Sequence, residues 1–434
     1  MSFPRYPAYK DSGVEWIKVV PTHWSIMPMY SVVEECDEPN LGMKENNLLS
    51  LSYGHIVNKD INSNDGLLPE SFETYQVVEP NDIVLRLTDL QNDQRSLRSA
   101  IVKERGIITS AYLAVRPRAI TPSYLAHLLR AYDLTKVFYS MGGGLRQSMK
   151  FADLKRMPVL VPPAEEQVRI AGLLDRETAK IDALVAEQEQ LITLLKEKRQ
   201  AVISHAVTKG LDPSVPMKDS GVEWLGEVPE HWEVKAIKRL SPVLRGASPR
   251  PIDDPKYFDD EGEYAWVRIA DSSASKGVLT ETTQRLSELG SSLSVKLEPG
   301  ELFVSIAGTV GKPCITGLKA CIHDGFVYFP RLSIPAMFLF RIFEAGLCYA
   351  GLGKMGTQLN LNTETIGSIA IALPPSDELK EILVFIENEL SKLDSMIEMA
   401  ATTVSLLQER RSALISAAVT GQIDVRGLAH QEAA

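Results

Sequence analysis

The chain has 434 residues, 44% hydrophobic and 24% charged, with a formal net charge of -10. That length holds two or three domains with real cores, and the acidic balance counts against a protein that coats nucleic acid unspecifically, since such affinity comes from neutralising phosphates. Cys36, Cys314, Cys321 and Cys348 lack the paired spacing of a zinc site or a disulfide framework and read as buried free thiols.

The start, MSFPRYPAYKDSGVEW, lacks a cationic region followed by an apolar run, and no stretch is apolar enough to span a membrane, so a cytoplasmic protein is expected. Lys10 to Trp24 reads KDSGVEWIKVVPTHW and returns at Lys218 to Trp232 as KDSGVEWLGEVPEHW, with eleven of fifteen positions identical. Gly13 with Pro21, and Gly221 with Pro229, mark turns. The paired Trp and Val residues are expected to anchor these segments to the domain that follows. His23/Trp24 and His231/Trp232 read as packing, because no acidic partner stands at fixed spacing from them.

Residues 25–161 read as a mixed α/β domain. β-rich runs occur at Asn47 to Tyr53, Asp82 to Leu87 and Ile107 to Val115. Pro122 to Ser140 has helical spacing, with Thr121 as N-cap and proline at the first helical position. Gly142-Gly143-Gly144-Leu145-Arg146-Gln147-Ser148 is a turn rich in donors, and Met157 to Val161 is a last short run. Arg95, Arg98, Lys103 and Arg105 form one local basic cluster, and Arg146, Lys150, Lys155 and Arg156 another.

From Pro162 to Asp212 runs a long helical pattern that the chain writes a second time from Pro374, at a shift of 212. Ile181, Leu184, Gln188, Leu191, Leu195, Lys198, Val202 and His205 alternate steps of three and four and predict one seam. Its counterparts are Leu393, Met396, Ala400, Thr403, Leu407, Arg410, Leu414 and Ala417. A helix of about 44 residues is roughly 66 Å long at 1.5 Å per residue, too long to hide in one small domain. Its duplicate is the expected partner.

Residues 233–373 repeat the order of the first domain with little identity. Strands are expected at Tyr264 to Ala270, Glu301 to Ile306 and Cys321 to Phe329, a helix from Pro335, and a glycine turn at Gly351 to Gly356 followed by Thr357-Gln358-Leu359-Asn360. Gly308-Thr309-Val310-Gly311-Lys312-Pro313 glances at a phosphate loop, but the spacing is short and proline replaces the Ser/Thr that would hold magnesium. Asp253, Asp254, Asp259, Asp260 and Glu261 read as turn residues of a solvated loop. No cofactor fingerprint follows a strand, and no histidine pair has metal-ligand spacing. The expectation is a non-catalytic chain that binds neither cofactor nor metal.

The KDSGVEW...VPxHW segments, the helix starts LVPPAEEQ and ALPPSDEL, and the endings RQAVISHAVTKGLD and RSALISAAVTGQID resemble the specificity subunit of type I restriction-modification systems, from about Tyr9 to Arg426. The resemblance implies an α+β fold with a pseudo-twofold internal repeat. Two mixed α/β target recognition domains, 1–161 and 213–373, would each read half of a bipartite, asymmetric DNA target. Two long helices, 162–212 and 374–425, would pair as an antiparallel coiled coil serving as spacer and as dock for two methyltransferase subunits, with 426–434 as a tail. Restriction and translocase subunits would complete the assembly. S-adenosylmethionine, ATP and Mg would belong to those partners.

Reading bases requires side chains that reach base edges, chiefly Arg, Lys, Asn and Gln, while other cations and loop amides hold phosphates. The first domain offers Tyr53, Arg86, Arg95, Arg98, Arg146, Gln147 and Lys150 for DNA binding. The second offers Arg250, Arg268, Lys312, Lys354, Gln358 and Asn360. Two rival readings are the recognition part of a standalone methyltransferase, which would need catalytic motifs, and a coiled-coil scaffold that binds only proteins.

Overall fold

A computed structural model describes residues 4–61, 71–90, 97–141, 148–350, 352 and 361–427. The chain divides into two compact units, Met1–Glu189 with Ala401–Ala434, and Gln190–Ala400. The architecture is mixed α+β.

In the first unit the leading segment is a β-hairpin, Tyr9–Val14 against Ile17–Pro21, whose irregular register accommodates Gly13 at φ 66°. The expectation of turns alone missed these strands. Trp24, fully buried, roots the hairpin in the main core beside Val20 and Met29. Ser25–Pro28 then pairs antiparallel with Pro158–Val161, so the first and last strands of the domain close it. Between them lie two four-stranded sheets. One runs His55–Lys59, Leu48–Ser52, Gly106–Ile108, Gln76–Val78, the other Val33–Cys36, Leu113–Pro117, Ile83–Leu85, Ser99–Ile101.

The second unit has its own hairpin, Met217–Asp219 against Glu227–Pro229, and its own closing pair, Glu233–Ala236 against Ala370–Leu373. Its four-stranded sheet runs Gln284–Leu286, Tyr264–Val267, Ala320–Ile322, Val295–Leu297. The five-stranded sheet runs Leu244–Arg245, Phe326–Tyr328, Leu302–Ser305, Pro313–Thr316, Val278–Leu279. Leu48–Ser52 pairs parallel with Gly106–Ile108, and Tyr264–Val267 pairs parallel with Ala320–Ile322, at the same place in the strand order of each unit.

Two expected single strands are each two. Ile107 to Val115 breaks into Gly106–Ile108 and Leu113–Pro117 around a turn closed by Tyr112 N–H donating to Thr109 O at 3.0 Å. Cys321 to Phe329 breaks into Ala320–Ile322 and Phe326–Tyr328 where Phe326 N–H donates to His323 O at 3.1 Å. In both cases the chain passes from one sheet to the other and is buried on either side of the turn, so the apolar pattern does not betray the break. Tyr264 to Ala270 likewise stops as a strand at Val267. Ile269–Ala274 is helical, started by the Asp271 carboxylate accepting from Arg268 N–H at 2.9 Å. The helix expected over Pro122 to Ser140 is Pro122–Leu134 and Val137–Met141, parted by Lys136 at φ 63°. Thr121 precedes it without a side-chain cap, and its N–H goes to the Gln167 side chain at 2.8 Å.

The long helices are Ala164–Lys209 and Ser376–Val419. Their buried and half-buried line follows Leu174, Thr178, Ile181, Val185, Gln188, Ile192, Leu195, Arg199, Ile203 and Ala206, and at a shift of 212 Ile386 through Ala418 do the same. Every second member of the expected seam is therefore off by one. Leu184, Leu191 and Met396 are 45%, 42% and 49% exposed. Steps of three or four from Ile181 both land on apolar residues, Leu184 or Val185, and packing selects the second.

Candidate nucleic-acid interface

In the first unit the connection from Leu48–Ser52 to His55–Lys59 is a two-residue turn, Tyr53-Gly54, since Ser52 and His55 are register partners. Tyr53 is 80% exposed. Beneath the turn lies Arg130 of helix Pro122–Leu134, which is buried and donates to Gly54 O at 2.7 Å and to Ser99 O. Burial pushes its pKa down to about 10, and the charge of Asp133 opposes the shift, so the guanidinium stays cationic near neutral pH. A small cleft of about 120 Å³ opens beside it, lined by His55, His127, Asp175 and Arg411 among others.

At the matching place of the second unit, the strand Tyr264–Val267 ends directly before Arg268. Here the tight turn is replaced by a longer connection to Gln284–Leu286. It borders a cleft of about 660 Å³ lined by Ile252, Asp253, Pro255, Phe258, Trp266, Arg268, Gln284 and His323. Trp266 forms its buried floor, and Gln284 is its register partner on the neighbouring strand. The His323 ring accepts from Gly325 N–H through Nδ1 at 2.8 Å, and burial lowers its pKa, which favours the neutral ring with its proton on Nε2. Arg268 bonds to Thr283 Oγ1 and keeps an exposed guanidinium. Arg250, on the loop that leads to the cleft, pairs with Asp324 at 3.0 Å and is also exposed. Arg250 and Arg268 were candidates from the sequence, whereas Gln284 and His323, which also line the cleft, were not, because their placement depends on strand pairing.

Two other candidates, Arg98 and Lys312, serve the fold. Arg98 is fully buried. Its guanidinium donates to Thr88 O at 2.7 Å and to Arg86 O at 3.3 Å, and lies over the Tyr139 ring, so it latches a loop and has no face for DNA. Lys312 donates to Ser273 O at 2.6 Å and Ser275 O at 3.0 Å, tying a β-hairpin loop to the preceding connection. That loop joins two antiparallel strands, Leu302–Ser305 and Pro313–Thr316, and no helix follows to receive a phosphate. Arg86 is half-buried beside Arg98, and Lys150 is exposed at the start of the short helix Phe151–Leu154. Arg95, Arg146, Gln147, Lys354, Gln358 and Asn360 lie outside the described residues. In the acidic cluster, Asp254 accepts from Lys256 N–H at 3.2 Å and Asp259 from Glu261 N–H at 3.0 Å, as turn residues do.

The His-Trp pairs do have an acidic partner, brought by the long helices rather than by local spacing. Glu166, buried, accepts from Trp24 Nε1 at 3.0 Å and Tyr6 Oη at 3.0 Å, with His23 Nε2 at 2.7 Å. In the second unit Glu378 accepts from Trp232 Nε1 at 3.1 Å, with His231 Nε2 at 2.7 Å. These carboxylates fix each hairpin to the start of a long helix. Further along, His127 pairs with Asp175 at 2.7 Å in the first unit, and Arg341 with Glu387 at 3.1 Å in the second, again at helix positions 212 apart. Among the described residues, no group of His, Cys, Asp and Glu has the arrangement of a metal site, and no helix is long and apolar enough to cross a membrane.

No family model matches the chain. Its curated homologues are type I restriction enzyme specificity subunits. Two are from Methanocaldococcus jannaschii: the putative MjaX subunit, 25% identical over 72% of this chain and 71% of its own length, and the MjaVIII subunit, 24% identical over 81% of each. The EcoKI specificity subunit of Escherichia coli K12 is 22% identical over 71% of this chain and 67% of its own length. Among solved structures, a chain of a type I R-M system assembly superposes with a TM-score of 0.72 at 16% identity, covering 93% of this chain and 99% of that one. The HsdS subunit from Thermoanaerobacter tengcongensis gives 0.51 at 15% identity, covering 93% and 98%. At such identities these likenesses describe the fold.

Proposed function

We propose that this chain, a homologue of type I specificity subunits, is the sequence-reading, non-catalytic subunit of such a system. Each unit reads one half of a bipartite, asymmetric DNA target. The observation that carries the reading is the repeated strand order, with an exposed Tyr53 in one unit and an exposed Arg268 in the other at the end of the same strand. A shared scaffold with different side chains at the same connection suits two modules that read different bases.

On this reading the chain is an internal duplication, and the two long helices pair antiparallel as the spacer. Within each unit taken alone, the segments of the two helices are joined by an ion pair, Asp182 with Arg411 and Asp394 with Arg199, in support of that pairing. Along the helices, Leu184, Leu191, Leu194, Met396, Met399 and Leu406 remain exposed. Apolar residues that both repeats leave uncovered suit docking of two methyltransferase subunits, with restriction subunits joining through them. S-adenosylmethionine, ATP and Mg then belong to the partners.

The deciding experiment is methylome sequencing of a host carrying this chain with its methylating partners. A single motif of two half-sites and a fixed spacer is expected. A gel shift with genomic fragments at moderate salt separates this reading from a scaffold that binds only proteins. Methyl transfer by the purified chain alone would favour the standalone enzyme instead.

A further inference from the structure

Among two-residue turns joining antiparallel strands, the type I′ turn places both central residues at positive φ, which suits Asn-Gly or Gly-Gly and strains a bulky side chain. Tyr53 and Gly54 sit at φ 44° and 79°. The tyrosine does not recover that strain by packing, because at 80% exposure it is the most exposed large hydrophobic side chain among the described residues. A strained aromatic that touches little of its own protein is what a contact with something else leaves behind.

The turn also has a dedicated support. Arg130 approaches Gly54 so closely that a Cβ there would land on the guanidinium. It donates to Gly54 O and Ser99 O, bracing the turn against the neighbouring strand end. Its Nε is buried without a partner, so the side chain is committed to the turn at a cost elsewhere.

We infer that Arg130 is a positioning residue that holds the Tyr53 ring as the base-contacting tip of a two-stranded ribbon. A ribbon of this kind fits the major groove, where a phenol ring and hydroxyl meet a thymine methyl and base edges. The inference rests on the reading that the chain recognises DNA, and adds to it the tip and its support.

The test compares the full chain with Tyr53→Asn, Arg130→Met and the double variant, measuring thermal midpoint and binding to a duplex carrying the wild-type motif. Tyr53→Asn relieves the turn, so its midpoint is expected to equal or exceed that of wild type while specific affinity falls on the order of tenfold, the size of one good base contact. Arg130→Met is expected to lose a similar factor, and the double variant no more than Arg130→Met alone, because both act through one ring. Should Arg130→Met not fold, Arg130→Lys, which keeps a cation and loses the planar fork, is read in the same way. Wild-type affinity in Tyr53→Asn, or losses that multiply in the double variant, would overturn the inference while leaving DNA recognition standing. A wild-type chain that prefers no sequence would instead overturn the functional reading itself.

Discussion

Asp182 and Arg411 stand 2.8 Å apart, and the positions 212 residues away from each, Asp394 and Arg199, stand 3.1 Å apart in the other unit. The two pairs are one interaction made twice, with the roles of the helices exchanged. They are not equally embedded, because Arg199 also meets Glu344 at 3.0 Å. Arg411→Ala should therefore destabilise its unit by about 0.5 kcal/mol, the worth of a part-exposed pair, and Arg199→Ala by about 1–1.5 kcal/mol. Denaturant titration of both variants gives the comparison, and equal losses would show that Glu344 adds nothing.

Four residues inserted between Ala186 and Glu187 should add about one helical turn, roughly 5.4 Å, while keeping the buried line close to register as a stutter. At about 3.4 Å per base pair the methylated motif should gain one or two spacer base pairs with its half-sites unchanged. Two inserted residues should instead turn the downstream line by about 200° and uncouple the helices. Motif sequencing of each variant is the measurement, and altered half-sites with an unchanged spacer would mean that the helices do not set the distance.

Glu166→Ala removes the acceptor of two buried donors, Trp24 Nε1 and Tyr6 Oη, and should cost about 3 kcal/mol. Among the described residues no tyrosine joins Trp232 at Glu378, and its side chain is 26% exposed, so Glu378→Ala should cost only about 1–2 kcal/mol. Hydrogen exchange localises the loss, which is expected at the leading hairpin of the unit concerned.

Burial pushes the thiols of Cys36 and Cys348 up to about 12 and that of Cys321 up to about 11. Tyr6, Tyr124 and Tyr132 are raised for the same reason. A raised acid stays protonated in the fold and ionises first in the unfolded chain. Its contribution is present below the unfolded value, near 9 for the thiols, and is lost as pH climbs toward the folded value. Stability should thus decline from about pH 9 upward. Native cysteines should resist a thiol reagent at pH 8 and react on unfolding, and rapid labelling of the native chain would contradict the burial.

The long helices were legible because periodicity and duplication both mark them, whereas within each domain only some of the short strands were. Which residue faces inward was legible only in part: Leu184 and Val185 are equally apolar neighbours, and only packing chooses between them. Arg98 and Arg268 are the same residue type in similar local surroundings, yet one is a buried latch and the other an exposed head. That difference lies in the carbonyls of Arg86 and Thr88, which strand pairing brings to Arg98. The acidic partner of His23 was hidden because it comes from a helix 143 residues away.

The first unit contains residues 401–427 as well as residues 4–189. Leu414, Ile415, Ala418, Val419, Ile423 and Val425 share its main core with Tyr6 and Trp24, and Asp424 N–H donates to Pro4 O at 2.8 Å. Gly421, at φ 74°, lies so close to the Pro21 ring and Trp24 that a side chain there would collide. During synthesis, at roughly 5–20 residues per second, the earliest part of the chain must wait about 20–80 s for these late residues. The second unit, formed from one uninterrupted stretch, can close in the meantime. The half translated first is thus the half that matures last, and its apolar seat for Leu414 through Val425 stays uncovered until the ribosome delivers the missing helix end.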